Sequence, residues 1–166
     1  MLKNVDPILG PDALYALCAM GHGDEVVICD AHYPADQAGR LSGYGKVIRM
    51  DGANSARAIR AVLSVLELDG FVAHPAERMM VDGQPDYLPH VQQEAQRELE
   101  TAVQRPFHFA SVPRSEFYER AKRAYAMIIT GETRGWGCFI LRKGLTVTAD
   151  QPEAAGDAHI GQWRRS

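Results

Sequence analysis

Apolar positions along the chain recur in two rhythms, and the alternation between them predicts the elements. Leu14, Leu17 and Cys18 form a helical stripe opening at Gly10-Pro11-Asp12, where proline suits a first turn and Asp12 complements the helix dipole. Gly21 and Gly23 stop it. Val26 to Cys29 is a continuous apolar run, which predicts a buried strand ending at Asp30. Residues 34–46 carry Pro34, Gly39, Gly43 and Gly45 and read as an exposed loop, while Lys46 to Met50 reads as a short strand. Asn54 or Ser55 caps the next helix, in which Ile59, Val62, Leu63 and Leu66 keep a helical period.

In the second half, residues 70–75 are expected as a strand. Residues 87–104 are polar and helical, with Val91, Ala95, Leu99 and Val103 four residues apart. Phe107 to Val112 alternates as a strand does, and a helix over 115–125 gathers Phe117, Ala121, Ala124 and Tyr125 on one face. Met127 to Gly131 and Cys138 to Leu141 are apolar strands separated by a turn at Glu132 to Gly135, the second closed by Lys143-Gly144. Strands alternating with helices predict an α/β fold, a single three-layer α/β/α domain over residues 1–149 with a mainly parallel or mixed sheet. Residues 150–166, rich in Ala, Gly, Asp and Gln, are expected to form a mobile tail that Ile160 and Trp163 are suited to dock.

Composition narrows the class. The 166 residues are 46% apolar and 23% charged, as in ordinary globular domains. A formal charge of −3, from 18 basic against 21 acidic residues, argues against nucleic acid or an anionic membrane as partner. No run approaches the roughly 20 apolar residues that span a bilayer, and the first residues lack the apolar core of a secretory signal. Cys18, Cys29 and Cys138 are odd in number and without CxxC spacing, so they read as reduced thiols of a cytosolic protein.

The densest polar cluster is Gly21-His22-Gly23-Asp24-Glu25, followed across one strand by Asp30-Ala31-His32-Tyr33-Pro34. Glycines on both sides leave the His22 imidazole uncrowded, and an ordinary imidazole exchanges protons near pH 6.5. Asp30 and His32 emerge where a strand meets a loop, the place where α/β sheets gather ligand groups. The bland alternatives are a dipole-compensating histidine and a turn-forming aspartate. His22, Asp30 and His32 are also metal-ligand types, but their spacing matches no strict ligand pattern and no metal is expected. Gly21-His22-Gly23 precedes a strand where a dinucleotide fingerprint follows one, so no such cofactor is expected either.

Met20-Gly21-His22-Gly23-Asp24-Glu25 with Asp30-Ala31-His32-Tyr33-Pro34 resembles the N-terminal signature of the D-ribose pyranase / L-fucose mutarotase family. Phe117-Tyr118-Glu119-Arg120-Ala121, Ile129-Thr130-Gly131-Glu132 and Trp136-Gly137-Cys138 resemble its C-terminal signature, in the fucose branch especially. With Val47-Ile48-Arg49 and Asp51-Gly52, the likeness runs from residue 1 to about 146. The resemblance implies that His22 is the catalytic proton donor, that Asp30 and Arg114 bind the sugar, and that Trp136, Gly137 and Cys138 line its pocket. Trp136 and Cys138 stand where the family has Tyr and Asn, a departure expected to alter sugar preference. It further implies cofactor-free anomer interconversion of a monosaccharide such as L-fucose, in a homo-oligomer, a decamer of two pentameric rings, with pockets near subunit contacts. Ribose pyranase activity, a non-catalytic monosaccharide-binding protein linked to transport, and an interaction scaffold are the competing readings.

Overall fold

In the computed structural model, which describes residues 2–146, a six-stranded sheet is sandwiched between two layers of helices. The elements run α1 (Pro11–Ala19), β1 (Glu25–Cys29), α2 (Ala35–Leu41), β2 (Val47–Met50), α3 (Ser55–Leu63), β3 (Ala76–Met79), α4 (His90–Val103), β4 (Ala110–Val112), α5 (Arg114–Ala121), β5 (Ala126–Thr130) and β6 (Phe139–Arg142). The strand order is β2-β5-β1-β6-β3-β4. Only β6 runs against its neighbours, pairing antiparallel with β1 on one side and β3 on the other, so the sheet is mixed. The other five strands point the same way. Their carboxyl ends, together with the start of β6, therefore form one edge of the sheet. Their amino ends, with the finish of β6, form the other.

The apolar runs are buried on both faces. Val26 and Ile28 of β1 join the core beneath α1, α3 and α4 with Ala16, Ile59, Val62, Ala95 and Leu99. Val27 and Cys29 point the other way, toward α2 and α5, where Phe117 and Ala121 cover them. At about 25 cal/mol per Å², each fully buried Ile, Val or Phe contributes about 1.5–3 kcal/mol relative to exposure.

Five expectations are corrected. The span read as an exposed loop over 34–46 contains α2, with Gly39 inside it. A Cβ on Gly39 would lie 2.9 Å from the backbone nitrogen of Val47, so glycine is there to let helix and strand approach. The strand expected at 70–75 lies instead at Ala76–Met79, whose Glu77 and Arg78 hide it from an apolar pattern. The strand expected over 107–112 is confined to Ala110–Val112, and the helix expected over 115–125 spans Arg114–Ala121. On α1 the buried face is Ala13, Ala16 and Leu17, and Cys18 is exposed. The expected tail at 150–166 lies outside the described residues, and no described helix is long and apolar enough to cross a membrane.

Candidate active site

The topology separates the sequence-predicted residues into two groups. His22 precedes β1 and sits at the amino edge, whereas Asp30 follows β1 at the carboxyl edge. At about 3.3 Å per residue, the five residues of β1 alone hold them about 17 Å apart. His22 therefore cannot share an ion with Asp30 and His32 within one chain.

At the amino edge, His22 Nε2 donates to Asp69 Oδ1 at 3.0 Å, and the two rings of His22 and Phe71 lie 5.2 Å apart. The His22 side chain is 40% exposed while Asp69 is 1% exposed. Asp69 also accepts the Phe71 amide (3.0 Å) and Arg142 Nε (2.9 Å). Burial works to raise the Asp69 pKa, but the bonds from His22, Phe71 and Arg142 outweigh it and hold the carboxyl below its ordinary value. An ionised carboxylate can only accept, so it fixes the proton of neutral His22 on Nε2 and leaves the Nδ1 lone pair free to take another.

The supports of this dyad are ionic. Arg142 lies 3.9 Å from Glu25, and Glu25 and Glu77 both pair with Arg120. Gly23, at φ +87°, allows the turn after His22, and a Cβ there would come within 3.1 Å of the Arg142 guanidinium. Asp69 was invisible to sequence reasoning, since Leu68-Asp69-Gly70 reads as an ordinary turn. Its only signal is an acidic residue between an apolar helix end and Phe71.

At the carboxyl edge, Asp30 is buried and accepts from three directions. The His32 amide donates to Oδ1 at 3.1 Å, the Gly137 amide to Oδ2 at 3.0 Å, and Cys138 Sγ approaches Oδ2 at 3.4 Å. Burial, then the charge of Asp30, pushes the Cys138 thiol well above its ordinary pKa, so it stays a neutral donor. His32 Nε2 lies 2.8 Å from the Thr133 carbonyl. The Tyr33 and Tyr118 rings stack at 4.9 Å. The Tyr118 phenol is raised by burial and, less, by Cys138 and Asp30, while Arg114 opposes the shift. Tyr118 is thus within electrostatic reach of Asp30, Arg114 and Cys138 together. Both tyrosines belong to the quoted motifs, although neither was singled out as a site residue.

Arg114 opens α5 at this same edge and pairs with Asp82 at 2.9 Å, both side chains more than half exposed. Trp136 is half-buried against the α2/α5 core and has φ +68°, a left-handed conformation rare for so bulky a residue. The structure thus gathers Asp30, Gly137 and Cys138 in direct contact, places Trp136 and Arg114 on the same edge, and leaves His22 apart.

A family model described as the RbsD / FucU transport protein family matches residues 3–146. The chain belongs to that family. An L-fucose mutarotase from Histophilus somni is 38% identical over 146 residues, covering 88% of this chain and 98% of the relative. Among solved structures, protein Atu2016 superposes with a TM-score of 0.87 at 48% identity, covering 89% of this chain and 97% of that one. The fucose mutarotase from Streptococcus pneumoniae, solved in complex with L-fucose, gives a TM-score of 0.76 at 34% identity, covering 88% and 100% respectively. The family's fold is therefore continuous over the described α/β/α sandwich, and both edges of the sheet lie within it.

Proposed function

We propose that the protein is a sugar mutarotase, an isomerase that interconverts the anomers of a monosaccharide such as L-fucose by acid–base ring opening. The observation that carries this reading is the imidazole of His22, partly exposed to solvent and tethered at Nε2 to a buried carboxylate. Ring opening needs a proton delivered to the ring oxygen and one removed from the anomeric hydroxyl. Rotation about C1–C2 and closure on the other face complete the exchange. One positioned group of near-neutral pKa accelerates such transfers by about 10²–10⁴-fold. The L-fucose mutarotase relatives favour this reading over ribose pyranase activity and over a non-catalytic binding protein.

Asp30, Arg114, Trp136, Gly137 and Cys138 are proposed to bind the sugar. Asp30 takes a hydroxyl proton on the lone pairs its protein donors leave free, and the Trp136 indole offers an apolar face to the C–H side of the ring. Because these residues lie at the edge opposite His22, the site is proposed to be completed by a second copy, whose His22 edge meets the Asp30 edge of the first. A homodecamer of paired pentameric rings is the assembly expected from the family resemblance. The cytoplasm is the location in keeping with three free cysteines.

The decisive experiment is exchange NMR on a panel of reducing monosaccharides, which reads anomerisation without assuming a substrate. Enhanced exchange for L-fucose, abolished in His22→Asn while the protein remains folded, is the expected result. Saturable binding without exchange would leave a sugar-binding protein in its place.

A further inference from the structure

The backbone next to the Gly137 amide that bonds Asp30 is held by two further buried polar side chains. Gln92 on α4 is fully buried. Its Nε2 donates to two backbone carbonyls, Met79 O and Trp136 O, each at 2.8 Å. Its Oε1 accepts from Nη1 of Arg78 at 2.9 Å, and Arg78, also buried, donates a second bond to the Pro85 carbonyl. The orientation of this amide is chemically determined. A guanidinium can only donate, so Oε1 must face it, and the two amide protons are left for the two carbonyls.

The Met79 bond ties Gln92 to the end of β3, and the Trp136 bond is the informative one. Trp136 is one of three non-glycine residues with positive φ among the described residues, and a bulky side chain persists there only when its surroundings over-determine it. Three hydrogen bonds supply that constraint. Gln92 holds its carbonyl, Asp30 holds the next amide, and Ser55 Oγ donates to the Gly137 carbonyl at 2.7 Å. Of these, Gln92 alone bonds Trp136 itself.

Resting on the mutarotase reading, we infer that Gln92, locked by Arg78, is a positioning residue for sugar recognition. It keeps Trp136 in the left-handed conformation that presents the indole on the same sheet edge as Asp30, and it sets sugar affinity without touching sugar. Gln92→Glu isolates this role. The carboxylate keeps a charged partner for Arg78, and hence the packing, but turns acceptors toward the Met79 and Trp136 carbonyls and cannot hold them.

Two readouts are needed. In a Trp163→Phe background, near-UV circular dichroism and fluorescence report Trp136, and exchange NMR separates KM from kcat. The expected result for Gln92→Glu is an altered Trp136 signal with KM for the preferred sugar raised roughly five- to tenfold, the equivalent of one lost hydrogen bond. The kcat should stay within about twofold, since His22 is untouched. Should Gln92→Glu fold poorly, Arg78→Met combined with Gln92→Leu removes both polar groups together, retains bulk, and should show the same KM rise. An unmoved Trp136 signal overturns the inference, as does a changed signal with unmoved KM or a fall confined to kcat. A wild type without anomerisation would defeat the mutarotase reading instead. The positioning claim would then be judged by the Trp136 signal and by sugar titration, where an unaltered dissociation constant overturns it.

Discussion

The two ends of β1 are built from different physics. At the amino edge His22 leads into a chain of charges, Asp69, Arg142, Glu25 and Arg120, and its imidazole is 40% open to solvent. At the carboxyl edge Asp30 is buried, and it is satisfied by two backbone amides and a neutral thiol, with stacked tyrosines close by. The first arrangement suits a group that must change protonation, because counter-charges and water accommodate either state. The second suits a fixed acceptor, because preorganised amides hold the carboxylate in place. On the proposed reading, proton traffic belongs to one edge and recognition to the other.

The sharpest break of this division is His22→Asn. Anomer exchange should fall by about 10²–10⁴-fold while the circular dichroism spectrum and the affinity for sugar are retained. A variant with wild-type exchange would remove acid–base work from the amino edge altogether. Next in size is a complementation test. His22→Asn and Asp30→Asn should each be nearly inactive. Co-refolded in equal amounts, they should regain activity at about a quarter of the sites, those pairing an intact amino edge with an intact carboxyl edge from another copy. A mixture as inactive as its components would mean that each chain builds its site alone.

Asp69→Asn tests how far the amino edge depends on its buried charge. It should lower exchange by about tenfold to a hundredfold, since a neutral amide orients the imidazole less firmly than the carboxylate and no longer stabilises its protonated form. It should also cost about 1–2 kcal/mol, a buried-pair loss discounted for the exposure of His22 and Arg142. The pH dependence has a definite sign. The Asp69 pKa is lowered from 3.8 in the folded state, so its stabilisation is complete above that value and fades as pH falls through the lower folded one. Denaturant titrations should show wild type losing stability below about pH 4 more steeply than the variant.

At the carboxyl edge, the double change Trp136→Tyr, Cys138→Asn restores the residues expected by resemblance. It should improve L-fucose affinity a few-fold to tenfold relative to other sugars, the equivalent of one hydrogen bond. An unchanged ranking across the sugar panel would show that these positions do not read the substrate. The smallest effect is expected at Arg114. Its exposed pair with Asp82 contributes less than about 1 kcal/mol, so Arg114→Ala should leave the melting temperature almost unmoved. A several-fold rise in KM is then attributable to the sugar. No rise would return Arg114 to an ordinary surface role.

Much of this architecture was legible before any coordinates. Val26 to Cys29 and Met127 to Thr130 announce themselves as core strands because both of their faces are buried, and α3 declares itself through the spacing of Ile59, Val62 and Leu66. What escaped did so for physical reasons. Helix α2 was masked by Gly39, which serves packing and breaks no structure there. Strand β3 was masked by Arg78, a cation buried by partners that no local pattern reveals. His22, Asp30 and the 136–138 run were identified as a set, but their division between two edges depends on strand direction. Asp69 meets His22 across 47 residues, a distance no spacing rule spans.

The reversed strand has a consequence for how the chain tolerates change. Because β6 runs against the rest, it begins just after Cys138 at the carboxyl edge, beside Asp30, and ends with Arg142 at the amino edge, beside Asp69. Seven consecutive residues, 136–142, thus carry contacts to both halves. A single-residue deletion within them would shift the register by one and exchange Ile140, which faces the α2/α5 core, with Phe139 and Leu141, which face the opposite one. Both edges would be lost in one step. The same deletion at the exposed turn over 133–135 leaves that alternation intact. A deletion scan would therefore find its most intolerant stretch in the strand that touches both edges, beside one of its more forgiving turns.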